Sequence, residues 1–160
     1  MKTIKASKLT SRGFGPYGQI ISTAKGNPSS ANDELTCWSK VSLLNFGKTA
    51  STTLLLCHRR ESIVKKLERH VHSPEVLVAL EGDSIICVGK PSSDRDAIRG
   101  LRAFHLRGGE AIAMHAGTWH YLPFPVKAKQ CKLLVLFSSK TEESDLKFRD
   151  LPEEVRITGF

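Results

Sequence analysis

The sequence predicts one all-β domain, a sandwich or closed barrel, with a single short helix near its start. From residue 35 onward the chain reads as strand after strand with turn signals between them, and short strands at such close spacing build a sandwich or a barrel. The apolar runs, such as Leu54-Leu55-Leu56-Cys57, are of strand length. With 160 residues, 40% apolar and 25% charged, the chain suffices for one domain spanning 1–160 with a real core, and its composition argues against disorder.

Taken in order, residues 8–14 predict the short helix, stopped by Gly15-Pro16. Residues 17–22 predict a strand, and 25–34, rich in Asn, Ser, Gly and Pro, a loop. Strands follow over 37–44, 51–58, 63–70, 75–81, 84–89, 101–106, 110–114 and 131–138. Ser73-Pro74 breaks one strand from the next, while Glu81-Gly82-Asp83 and Arg107-Gly108-Gly109 make hairpin connections. Residues 90–96 form a polar loop with a helical turn after it, and the polar tail from Thr141 packs a short segment through Phe148 and Leu151.

Composition excludes several classes. No segment approaches the roughly 20 apolar residues that span a bilayer, and Met1-Lys2-Thr3-Ile4-Lys5 is followed by no apolar stretch, so a soluble, cytoplasmic protein is expected. Cys37, Cys57, Cys87 and Cys131 are widely spaced, without a CxxC pair, and the last three sit in or beside apolar runs as small hydrophobes. The net charge of +8 permits nucleic-acid binding, but the 24 basic residues are scattered among 16 acids. Arg59-Arg60 and Lys65-Lys66, the densest clusters, lack an aromatic ladder, so a solvated basic surface that draws in a small anion is expected and no nucleic-acid partner.

Chemistry concentrates in two places. In Leu67-Glu68-Arg69-His70, strand periodicity projects Glu68 and His70 from one face and Arg69 from the other. After the Ser-Pro turn, Glu75 opens the returning strand and comes back beside His70. In Met114-His115-Ala116-Gly117-Thr118-Trp119-His120, a glycine turn sets His120 at a strand start. Histidines with carboxylates at these spacings suit a divalent metal: zinc, nickel, manganese or iron. The residue types leave open whether Glu68 is a fourth ligand or a general base.

These residues resemble the two motifs of the cupins. Glu68, His70, Glu75 and Gly82 fall in the register of the first, with Glu68 where most cupins have His; Gly109, His115, Gly117 and His120 fit the second, with His115 in place of Pro. The closer resemblance is to the ureidoglycolate lyases, through Leu67-Glu68-Arg69-His70, Leu101-Arg102-Ala103-Phe104, Gly109, His115, Trp119-His120 and Phe14-Gly15-Pro16-Tyr17-Gly18, and it covers nearly the whole chain. The chain departs from that pattern at Glu75, where Gln is common, at Val71 in place of Pro, at Tyr121 in place of a second His, and at Ala113-Met114-His115 in place of Asn-Tyr-His.

The resemblance implies a cupin double-stranded β-helix, or jelly-roll barrel, and release of urea from ureidoglycolate to give glyoxylate in allantoin and purine degradation. It implies a metal on His70, Glu75 and His120, with Glu68 as ligand or base, and slightly favours nickel. The chemistry needs a base for the substrate hydroxyl, charge stabilisation on its oxygen and a proton for the leaving nitrogen. Glu68, His70, His120 and His115 are the expected catalytic residues, and His72, like His115, is expected either to support the ligands from behind or to donate a proton. Arg69, Arg102, Trp119 and Tyr121 are expected to bind the substrate, with Arg59 a further cation for its carboxylate. A homodimer is implied as well. The competing classes are another small-molecule metal cupin, an oxygenase or isomerase, and a non-catalytic binding module; metal content with oxygen uptake separates the oxygenase.

Overall fold

In the computed structural model, residues 1–22, 26–92 and 94–160 are described. In chain order they form β1 Lys2–Lys8, α1 Ser11–Phe14, β2 Gly18–Ile21, β3 Ser30–Ala31, β4 Thr36–Cys37, β5 Ala50–His58, β6 Ile63–His70 and β7 Glu75–Glu81. There follow β8 Ser84–Gly89, α2 Asp94–Arg99, β9 Arg102–Leu106, β10 Ala111–Met114, β11 Trp119–Pro125, β12 Gln130–Ser138, a π-helical turn at Thr141–Asp145 and β13 Leu146–Thr158.

The pairing is nested. β8 pairs with β9, β7 with β10, β6 with β11 and β5 with β12, all antiparallel. A long hairpin folded on itself in this way is a jelly roll, the all-β cupin architecture the sequence predicts. Its strands divide between a closed ring, β1-β13-β6-β11-β8-β9, and a five-stranded sheet, β2-β10-β7-β12-β5. β1 closes the ring by running parallel to β13 with its first half and to β9 with its second.

Two cores result, and β8 separates them. Ile86 and Val88 join Leu77, Ile112, Met114, Leu133, Val135 and Phe137 between ring and sheet. Ile85 and Cys87, on the opposite side of β8, join Val64, Leu67, Ala103, Trp119 and Phe124. All six residues of β8 are buried, which explains its unbroken apolar run.

Several elements differ from expectation. The helix is only one turn, because Lys8 ends β1 and Thr10 caps the start, its Oγ1 accepting from the Gly13 N–H at 3.1 Å. β1 pairs with one strand about 100 residues away and another about 150 away, which nothing local in Lys-Thr-Ile-Lys-Ala-Ser-Lys announces. The strand expected over 37–44 is reduced to Thr36–Cys37. β11 extends to Pro125, and its register with β8 shifts between Tyr121 and Phe124, a bulge that accommodates Pro123. β13 does the same around Pro152, shifting between Asp150 and Val155. The tail is therefore a long strand: Leu151 packs on the second core, while Phe148 stays exposed with the Lys66 ammonium 5.1 Å from its ring centroid. Of the expected loops, Lys25 and Ser93 lie outside the described residues.

Candidate metal centre

β6 and β7 meet at a tight turn, so the last residue of one and the first of the next stand side by side. These are His70 and Glu75, both buried, with His70 Nε2 at 2.7 Å from Glu75 Oε2. His120 enters from β11, opposite Glu68 in register. Its Nε2 lies 3.4 Å from Glu75 Oε2 and 3.5 Å from Glu68 Oε1, and the two imidazole centroids are 5.1 Å apart. One donor atom from each of His70, Glu75 and His120 lies within 4.8 Å of the others. The two turns are tied together: Gly117, at φ +82°, donates its N–H to the His70 carbonyl at 2.5 Å.

Two imidazoles and a carboxylate suit a divalent cation, and one atom tests the fit. His120 Nε2 is buried and has no hydrogen-bond partner among the described residues, although two carboxylates face it. On the other side of the ring Nδ1 lies 3.0 Å from the Thr118 carbonyl. A carbonyl only accepts, so Nδ1 carries a proton, and once Nε2 gives up its own the ring presents the Nε2 lone pair, as a metal-binding histidine requires. The donor set therefore fits a metal. His70 lacks this support, since its Nδ1 is buried with no partner.

Without a cation the cluster balances its own charge. Burial alone would raise the Glu75 carboxyl, but His120 and His70 outweigh it and hold it down at about 2. Burial alone would lower His120, but Glu75 and Glu68 overcome that and lift it to about 9.

Glu68 differs from the triad in remaining about a quarter exposed. It lines an inner cleft of about 30 Å³ with Glu75, His120, Met114 and Tyr121, and an open cavity of about 180 Å³ with His70, Glu75, Phe137, Thr141, Glu142 and Leu146. It also lines an adjoining cavity of about 240 Å³ with Lys66, Tyr121 and Phe148. Glu68 is thus the acid that connects the triad to the entrances.

Of the remaining expected residues, Tyr121 shares the inner cleft with the triad and the others are not brought to it. Arg69 projects from the other face of β6, its guanidinium 4.3 Å from the Trp119 ring centroid, and Trp119 is buried in the second core. Alternation along the strands is the reason: Glu68, His70 and His120 face inward, and Arg69 and Trp119 do not. Arg102 is exposed on β9, and Arg59 is exposed just after β5. His115 is exposed in the glycine turn, where its backbone N–H donates to the Tyr17 carbonyl at 2.9 Å. His72 is exposed, its Nε2 3.9 Å from Asp145. Tyr121 lines the inner cleft and packs its ring against Phe124. Sequence reasoning missed Lys66 as a cation at the entrance, and it missed the wall from Thr141 to Leu146, which its polar, helix-free pattern does not signal.

A jelly roll with a buried His-Glu-His cluster at the end of a small cavity defines a cupin-class barrel with a site suited to metal-assisted chemistry on a small molecule. The comparison with protein families makes this particular: the ureidoglycolate lyase family model matches residues 1–158, and the chain belongs to that family of lyases. The ureidoglycolate lyase of Pseudomonas aeruginosa is 24% identical over 98% of this chain and 96% of its own length. That of Pseudomonas fluorescens Pf0-1 is 25% identical over 92% of each. Among solved structures, Bacillus subtilis oxalate decarboxylase aligns with 65% of this chain and 24% of its own at 17% identity and a TM-score of 0.46. Membership in the lyase family decides among the competing classes in favour of a carbon–nitrogen lyase.

Proposed function

We propose that this protein cleaves ureidoglycolate to glyoxylate and urea, with a divalent cation held by His70, Glu75 and His120. The observation that carries the reading is the buried His120 Nε2, which faces two carboxylates without a hydrogen bond among the described residues, in a chain of this family. When bound there, the cation supplies Lewis-acid stabilisation of oxygen charge. Nickel is the first ion to test, followed by zinc, manganese and iron.

Glu68 is the base. It lines both the inner cleft and the open cavity, so a hydroxyl placed beside the triad meets it. The hydroxyl proton passes to the Glu68 carboxylate. The electrons of the O–H bond form the aldehyde carbonyl, and those of the C–N bond leave with the nitrogen, to which Glu68 returns the proton. Lys66 shares a cavity with Glu68, and we assign it the substrate carboxylate in place of the arginines. Phe137 and Leu146 supply apolar wall and limit the water around the reacting atoms.

The test is to load the protein with each metal in turn and measure both products. The reading predicts equimolar glyoxylate and urea, lost in E68Q while the ion stays bound. Absence of both products with all four metals would overturn it.

We also propose a homodimer and a cytoplasmic location. Leu54 and Leu56 on β5, the edge of the five-stranded sheet, and Leu80 on β7 are exposed apolar side chains that a second copy would cover. Sedimentation of the wild type against L54K tests this. The free thiols Cys37, Cys57, Cys87 and Cys131 suit a reducing compartment, and among the described residues no helix is long and apolar enough to cross a membrane.

A further inference from the structure

The turn that joins His70 to Glu75 has a buried anion beneath it. Asp145 ends the π-helical turn, 74 residues from Val71 in sequence, and is only 4% exposed. Its Oδ1 accepts the Val71 N–H at 2.8 Å and its Oδ2 accepts the His72 N–H at 2.8 Å. Both oxygens of one carboxylate are thus used on consecutive backbone donors, immediately after His70. Carboxylate bonds to backbone donors are charge-assisted and stronger than neutral ones, and two parallel bonds fix orientation as well as distance.

The same segment touches the site from both sides. Thr141, Glu142 and Leu146 line the open cavity, and Leu146 is the register partner of His70 at the start of β13. Thr141 Oγ1 lies 3.4 Å from Ser73 Oγ within the turn, and Ser73 Oγ in turn accepts the Ser138 N–H at 3.4 Å. These longer contacts leave Asp145 as the strong link. Without it the amides of Val71 and His72 would need other partners in a part-buried place, and the turn carrying two of the three proposed ligands would lose its fixed shape.

We propose that Asp145 is a positioning residue: by clamping the turn from residue 71 to 72, it sets the relative placement of His70 and Glu75 and hence the affinity for the cation. The inference rests on the metal reading of the triad. It adds a residue that touches neither metal nor substrate and acts from the wall of the substrate cavity. The clamp also couples that wall to the ligand turn, since one carboxylate ends the first and holds the second.

The experiment titrates Ni²⁺ and Co²⁺ into metal-free wild type, H120A, D145N and D145E by calorimetry, with cobalt absorption bands as a record of the ligand geometry. Circular dichroism checks that each variant is folded. Expected are about 10- to 100-fold weaker binding in D145N with altered cobalt bands, as for loss of other groups that orient metal ligands, and partial recovery in D145E, which keeps the charge. A folded D145N with wild-type affinity and bands overturns the proposal while leaving the metal site intact, provided H120A has lost the ion. Failure of the wild type to bind either ion overturns the metal reading itself, and the proposal with it.

A measurement on the wild type needs no variant to fold. Metal loading should slow amide hydrogen exchange at Val71 and His72 more than at Gly108, whose N–H donates at 2.9 Å to a different carboxylate, that of Asp83. Equal slowing at all three would overturn the proposal.

Discussion

Residues 68 and 69 are neighbours on β6, and residues 119 and 120 are neighbours on β11, yet each pair is split between two environments. Glu68 and His120 face into the jelly roll, 3.5 Å apart, in a polar pocket with His70 and Glu75. Arg69 and Trp119 face the other way, stacked cation on ring at 4.3 Å, with Trp119 in an apolar core that reaches Val64, Ile85 and Cys87. Both pairs belong to the same family-like signatures, Glu-Arg-His and Trp-His. The difference teaches that a sequence signature on a strand mixes two functions at a period of two: one set of side chains does chemistry, and the alternate set holds the strands that present it.

This partition can be broken from either side. The largest effect is expected from H70A and H120A, which should reduce glyoxylate release from the metal-loaded enzyme at least about 100-fold in whatever stays folded, with some loss of metal-free stability because Glu75 loses a buried ion-pair partner. W119A should act on stability alone. Loss of a buried indole costs about 3–5 kcal/mol, read in denaturant titration, with KM little changed in whatever stays folded.

Next comes pH. His120 is raised to about 9 in the unloaded cluster, so near neutral pH it carries a proton that a cation must displace. Affinity should therefore rise with pH by about tenfold per unit between the ordinary imidazole range and about 9, then level off. Calorimetry in buffers of differing ionisation heat should count about one proton released per ion at pH 7; no release would contradict the charge balance described for the cluster.

Smaller still is R69M, which removes the cation from the Trp119 ring and should cost about 0.5–2 kcal/mol of stability with kcat and KM retained. A rise in KM of tenfold or more would instead return Arg69 to the substrate.

Much of the fold was legible because its signals are local. The short apolar runs and the turn residues at Gly82 and Gly109, both at positive φ, mark β7 to β10 with little error. The elements that escaped are those fixed by distant partners or interrupted by proline: β1, defined by parallel pairing with β9 and β13, and β11 and β13, whose prolines sit at register shifts. The site divides in the same way. His70, Glu75 and His120 come together as their spacing predicts, because the turn from β6 to β7, which crosses from ring to sheet, and a glycine turn bring them there. Arg69 and Trp119 face away from the triad because the strand period sets them opposite Glu68 and His120. Asp145 had no sequence signal at all: an acid in a polar tail becomes the anchor of a turn 74 residues away only when β13 lies beside β6.

The most direct test is metal stoichiometry, measured by atomic emission on wild type, H120A and R69M after loading with nickel and removal of excess ion. The two-faced reading of β6 and β11 predicts one ion per chain in the wild type, one in R69M and none in H120A. Loss of the ion in R69M, or its retention in H120A, would contradict it.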